Sequence, residues 1–152
     1  VITGYYYGAN SGYYGFQRAL DGTFTSVDPP GSTSTSPRAI NPAGAITGNY
    51  YDASFVNHGF ERAPHGTFTS FDPSGSTSTW PASINPAGAI TGSYLLKGSG
   101  AFHGFLRAPD GTITEFDVPG ETWTYPTGIN PAGAITGYSL DANNMFHGFL
   151  RY

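Results

Sequence analysis

His58, His103 and His147 each open an H-G-F triplet, at matching places in a repeating chain. Three imidazoles brought to one axis would make a metal site. The competing reading is one structural hydrogen bond per copy. Tyr14 stands at the corresponding place in the first copy and favours it, so no metal site is assigned. Arg18, Arg62, Arg107 and Arg151 share another repeat position, and Asp28, Asp72 and Asp117 a third. Acid–base catalysis needs one asymmetric pair of groups with pKa values pushed apart. Residues present in every copy suit repeated ion pairs or hydrogen bonds to loop backbone instead. His65 falls in a turn, where it is solvated. Asp141-Ala-Asn-Asn starts like a calcium loop but lacks the glycine and the distal glutamate. No nucleophile motif, phosphate-binding glycine loop or H-E-x-x-H segment occurs. No catalytic residue and no cofactor is therefore expected, and the chain is read as a non-enzyme.

The residues that differ between copies carry more information about specificity. The segments ending at Pro37, Pro81 and Pro126 read STSTSP, STSTWP and ETWTYP. Trp80, Trp123 and Tyr125 sit there among hydroxyls and Glu121. Such aromatics present an apolar face beside a polar tip, which suits stacking on a sugar ring. The alternative is packing between repeated units. The same Ser/Thr runs beside proline, with Ser32, Thr33, Thr35, Ser76, Thr77 and Thr79, are candidates for O-glycosylation.

All of these residues hang on a repeat. INPAGAITG occurs at Ile40–Gly48, Ile84–Gly92 and Ile129–Gly137, and its tail, VITG, opens the chain. The ITG triplets begin at Ile2, Ile46, Ile90 and Ile135, spacings of 44, 44 and 45. This divides the single domain, residues 1–152, into repeats at about 1–44, 45–88, 89–133 and a partial 134–152. One repeat predicts four short strands: AITGNYY, HGFERA, TFTSFD and WPASIN. Pro64-His-Gly, matched by Pro109-Asp-Gly, is a hairpin turn, and Asn85-Pro-Ala-Gly is a β-turn. Pro73–Thr79 is expected to be a loop.

Four strands per unit of this length is the pattern of a propeller blade. The expected fold is all-β, a β-propeller-like array of four-stranded blades, about three and a half per chain, or failing that an open all-β solenoid. Fourteen strands are expected, with the first and last units each short of one. A fragment of a longer array, an irregular small ring, or completion by another copy would each account for this. Val1, Ile2 and Tyr5 at one end, and Phe146, Phe149 and Tyr152 at the other, are uncharged strand edges suited to self-association. A head-to-tail contact of this kind builds an oligomer, or a filament if it does not close.

Charged residues make up 11% of the chain, against roughly 25% in an average domain. The net charge of -4 argues against nucleic acid and anionic membranes, and no apolar run approaches a membrane span. There is no cysteine and one lysine, Lys97. With abundant Ser, Thr, Tyr and Gly, this composition suits an extracellular or cell-surface protein. Val1 opens the chain without a signal-peptide pattern, which predicts a removed leader or a longer parent.

The register of IN-x-x-G-x-I-x-G and H-G-F-x-R resembles the extracellular HAF-type repeat family of bacteria. The residues that carry the resemblance are Ile84, Asn85, Gly88, Ile90, Gly92, His103, Phe105 and Arg107, with their equivalents across essentially the whole chain. Gly59, Gly104 and Gly148 depart from the alanine of the family's triplet, and Tyr14 from its histidine. The resemblance implies a secreted bacterial protein with a propeller-like fold and implies no activity. The function expected is a non-catalytic extracellular structural module that self-assembles through incomplete terminal blades. A carbohydrate-binding, lectin-like module is the alternative, and a propeller-scaffold hydrolase or lyase is the least supported.

Overall fold

The computed structural model describes residues 1–8 and 11–152, and over these the chain is all-β, with fourteen strands and no helix. The strands are β1 (Ile2–Tyr7), β2 (Tyr13–Arg18), β3 (Phe24–Ser26), β4 (Ser34–Ile40), β5 (Ile46–Tyr51), β6 (Asn57–Arg62) and β7 (Phe68–Phe71). They continue as β8 (Ser76–Ile84), β9 (Ile90–Leu96), β10 (Phe102–Arg107), β11 (Ile113–Phe116), β12 (Trp123–Ile129), β13 (Ile135–Leu140) and β14 (Phe146–Arg151).

Three sheets result. β1–β3 and β12–β14 are three-stranded, and β4–β11 form one eight-stranded sheet. That large sheet is two antiparallel units, β4–β7 and β8–β11, joined by one parallel bridge between Asn57 and Ser78. The Asn57 amide strengthens the join by donating to the Thr79 carbonyl at 2.9 Å.

Turn chemistry explains the hairpins. In Asn41-Pro-Ala-Gly the Gly44 N–H donates to the Asn41 carbonyl at 2.9 Å, and Gly44 takes φ of 89°, open to glycine at little cost. Asn41 Oδ1 accepts the Ala45 N–H at 2.9 Å. Ala63-Pro-His-Gly repeats the arrangement, with Gly66 at φ 101° as the left-handed residue of a three-residue hairpin.

The proline of each inner strand sets a bulge. Register slips between Pro37 and Ala39, between Pro81 and Ser83, and between Pro126 and Gly128. Proline has no N–H for the ladder, and a bulge accommodates it. The bulged strand lies so close over the ITG glycine that a Cβ on Gly48, Gly92 or Gly137 would run into the carbonyl of Ser36, Trp80 or Tyr125.

Two expectations are corrected. Pro73–Thr79 is not all loop, because β8 begins at Ser76. Its Ser/Thr content reflects hydrogen bonding rather than exposure: Thr79 is fully buried and donates to Asp72 Oδ1 at 2.5 Å. The WPASIN strand also does not close the unit that begins at ITG. It pairs with the ITG strand that follows it, so the hydrogen-bonded unit runs inner proline strand, ITG strand, HGF strand, outer TFTSFD strand.

The core lies between units. Val27, at the end of the first sheet's outer strand, packs with Ile46 and Phe60 of the second unit. Phe71 does the same with Ile90, Tyr94 and Phe105 of the third, its ring 5.9 Å from that of Phe105. Phe116 meets Phe149 of the fourth at 6.3 Å. Arginines tie the same interfaces: Arg62 donates to Gln17 at 3.1 Å and Arg107 to Glu61 at 2.8 Å. Arg151 lies 4.6 Å over the Phe116 ring.

Phe16, Phe60, Phe105 and Phe149 share one repeat position; Phe60 and Phe105 are fully buried against a preceding unit and Phe149 meets Phe116, whereas Phe16 meets no other unit's ring among the described residues. Phe60→Ala is expected to cost about 3–5 kcal/mol in urea denaturation, as large-to-small core changes do. Phe16→Ala, half-buried, should cost less than about 2 kcal/mol at low protein concentration. Equal losses would show that Phe16 is covered in solution.

Candidate functional site

The histidines head the HGF strands and lean onto the tyrosine of the adjacent ITG strand, His58 on Tyr50 and His103 on Tyr94, each at 5.4 Å. His58 Nδ1 lies 2.6 Å from Asp72 Oδ2, at the end of the outer strand, and Nε2 lies 3.5 Å from Asp52 Oδ2 in the loop before it. His103 Nδ1 meets Asp117 at 2.9 Å. Its Nε2 is buried without a partner, because the longer Lys97-Gly-Ser-Gly segment replaces the Asp52 carboxylate. His147 meets Asp141 at 3.4 Å. Where Tyr14 replaces histidine, Asp28 accepts from the Gly15 N–H at 2.9 Å and the Ser26 hydroxyl at 2.6 Å. Each aspartate thus ties strands of its own unit together, Asp72 reaching also to Thr79 of the next, and among the described residues no three His, Asp or Glu side chains are placed to hold a metal.

Burial pulls the His58 pKa down, but the hydrogen bonds and charges of Asp72 and then Asp52 outweigh it, and the net shift is upward. The Val56 N–H leads the groups that hold Asp52 below the usual carboxylate range, with the Ser54 N–H and His58 adding to it. Asp141 is lowered in the same way, first by the Met145 N–H. These are Asx-type loop closures, which accounts for Asp141 better than calcium does.

The structure brings Trp80, Trp123 and Tyr125 together. Phe102 sits between them, its ring 5.3 Å from Trp80, 5.6 Å from Trp123 and 4.9 Å from Tyr125. Tyr125 stacks on Tyr138 at 4.9 Å, and Tyr138 meets Phe146 edge-on at 5.7 Å. Burial, then the neighbouring Tyr138, pushes the Tyr125 pKa up to about 12. Beside the cluster a groove of about 320 Å³ opens along the inner strands, with Arg38, Ala82 and Thr127 on its wall. Phe102, Tyr138 and Arg38 escaped the sequence reading. The signal was available: aligned copies read Asn57, Phe102, Phe146 at one position and Asn49, Ser93, Tyr138 at another.

Two further placements need correcting. Phe149 is not an open edge, since it faces inward onto Phe116. Tyr5 is exposed, but on the side of the first sheet that turns toward the second unit, where it meets Tyr13 and Arg38. Val1, Ile2, Phe146 and Tyr152 are exposed. The first sheet's open face is completed by Tyr6 and Phe24, around a concavity of about 460 Å³ that Phe16 also lines. Of the hydroxyls considered for O-glycosylation, Thr33 and Thr77 are exposed and Ser32 and Ser76 half-buried. Thr35 and Thr79 are buried, and a sugar on either would displace packed neighbours.

No protein-family model and no curated protein sequence matches the chain. Among solved structures it is similar to one titled "Streptogramin B lyase structure", with a TM-score of 0.54 and 15% identity. The match covers 96% of this chain and 53% of that one, so the chain spans about half its neighbour's length. The neighbour is a β-propeller, and the likeness is one of fold.

The raised His58 pKa has a defined sign. The unfolded histidine titrates near ~6.5, and the folded one above it, so its stabilisation is complete below the unfolded value and is lost as pH rises through the folded one. The urea midpoint is therefore expected to fall as pH rises through and above the unfolded value of about 6.5. His58→Gln should flatten that slope, and an unchanged slope would refute the assignment.

Proposed function

We propose that this chain is a non-catalytic extracellular structural module of HAF-type repeats that assembles with copies of itself through the uncovered faces of its first and last sheets. The observation that carries this is a match of repeat positions. Ile46, Tyr50, Phe60 and Phe68 cluster with Val27 of the preceding unit. Their equivalents in the first sheet are Ile2, Tyr6, Phe16 and Phe24, and among the described residues no other unit covers them.

The last sheet, β12–β14, supplies the complementary side. Its outward face carries Tyr138, Phe146 and Leu150, all exposed. In the second unit the same positions hold Asn49, Asn57 and Glu61, which face the third unit, with Asn57 hydrogen-bonded to Thr79 and Glu61 to Arg107. The last sheet of one copy thus offers the kind of face that the first sheet of another is shaped to receive. Contacts of this sort are head-to-tail, and they yield a ring when the rotation closes and a filament when it does not. Large uncovered apolar faces favour such association. The repeated His–Asp pairs serve as ties within each unit and are given no catalytic role.

Light scattering across a concentration series, with electron microscopy of the same samples, tests this. Assemblies are expected to grow with concentration. Phe24→Asp and Phe146→Asp should each shift the population to monomer without lowering the unfolding midpoint, since these side chains are 63% and 69% exposed. A strictly monomeric wild-type chain at high concentration would overturn the proposal.

A further inference from the structure

The groove beside the aromatic cluster is a place within the strands where several repeat positions diverge together. Arg38, Ala82 and Thr127 are one position on three successive inner strands, and Ser36, Trp80 and Tyr125 are another. The residues that frame them, Pro37, Pro81 and Pro126 before and Ile40, Ile84 and Ile129 after, are the same in all three copies. Folding asks each copy for the same turn, bulge and glycine. It does not ask for an arginine in one copy and a tryptophan in the next. A groove whose wall differs from strand to strand can fit a ligand that has no repeat symmetry.

The wall has a definite chemistry. Arg38 is exposed and makes no ion pair among the described residues. Its guanidinium lies 5.4 Å from the Tyr5 ring centroid, and none of its N–H groups donates a hydrogen bond to a described residue, so they remain for an acceptor. Trp80, Tyr125 and Tyr138 give the groove an aromatic side. Thr127 is exposed, and its hydroxyl is committed only to a long 3.4 Å bond to Thr136. At about 320 Å³ the groove lies at the small end of ligand sites, which run from roughly 300 to 1,000 Å³.

We propose that this groove binds a carboxylate-bearing sugar, a uronic acid residue of an acidic polysaccharide. The carboxylate pairs with the Arg38 guanidinium, where the fork of N–H donors matches two oxygens. The C–H face of the ring lies on the aromatic side, and the sugar hydroxyls meet Thr127. A neutral sugar would satisfy the aromatic side but leave the one unpaired cation of the groove unanswered. The groove is built within a single chain, and Tyr138 at its end is the one lining residue it shares with the face proposed for assembly.

Isothermal titration of the full chain with an oligogalacturonate trisaccharide, and with its neutral galactose counterpart, tests this. The acidic sugar is expected to bind at least about tenfold more tightly, and binding should weaken as salt is raised. Arg38→Gln should bring the acidic sugar down to the neutral level with an unchanged unfolding midpoint, because the side chain is solvent-exposed. Trp80→Ser, which installs the residue the first copy carries, should weaken both sugars. Equal affinity for the two sugars, no effect of Arg38→Gln, or no binding of either at millimolar concentration would each overturn the proposal.

Discussion

A four-stranded sheet with aromatic side chains on both faces cannot leave either face in water. In this chain that constraint is met by one contact made over and over: the last apolar residue of each outer strand presses into the next unit. Val27, Phe71 and Phe116 hold this position, and they fill the space between ITG and HGF strands against Ile46 and Phe60, against Ile90 and Phe105, and against Phe149. Full burial of one such side chain is worth about 1.5–3 kcal/mol, but the contact sets more than stability. It fixes the spacing of units, and the ring closest to it in the second and third units is fully buried.

The polar ties follow from that stacking. With the aromatics seated, an arginine at the end of each HGF strand reaches back to the preceding unit, and its partner is a glutamine, a glutamate or an aromatic face as the sequence allows. At the inner end a second series runs through the turns. Asn41 Nδ2 donates to the Asn85 carbonyl and Asn85 Nδ2 to the Asn130 carbonyl, both at 3.2 Å. The asparagine that closes each β-turn therefore also links it to the next one. Arg18, with no preceding unit among the described residues, lies instead with its guanidinium 5.8 Å over Phe24 of its own sheet.

Much of this was legible because it is local. Asn-Pro-Ala-Gly and Pro-His-Gly specify tight turns by backbone chemistry alone, and the recurrence of ITG counts the strands. What was illegible depends on partners far away in sequence. The start of β8 at Ser76 looks like loop because Ser and Thr dominate it, yet the buried Thr79 hydroxyl answers an acceptor across the hairpins, Asp72 of the preceding unit. The phase of the unit was hidden because Asn85-Pro-Ala-Gly and Ala63-Pro-His-Gly are equally good hairpins, and the link from Asp72 to Gly75 is what crosses between units. Phe149 looked like an edge because nothing in its strand says that Phe116 lies behind it. Trp80, Trp123 and Tyr125 were identifiable by type, but their meeting around Phe102 is a product of stacking neighbouring units.

Repetition also separates structural residues from those free to do something else. His58 with Asp72 and His103 with Asp117 resemble parts of a catalytic site when viewed one at a time. Seen as a series they are one bond made in the second and third units, where the histidine is followed by an outer strand ending in aspartate. His147 turns to Asp141 of its own loop, and Asp28 turns to backbone where the triplet opens with Tyr14. The groove along the inner strands is the opposite case. Its proline bulges and its neighbouring isoleucines are held constant, so the strands present their side chains in matched positions. On that constant frame Arg38, Trp80, Tyr125 and Thr127 differ from copy to copy. A stacked repeat leaves few strand positions at which a change costs the fold nothing, and the wall of this groove holds several of them side by side.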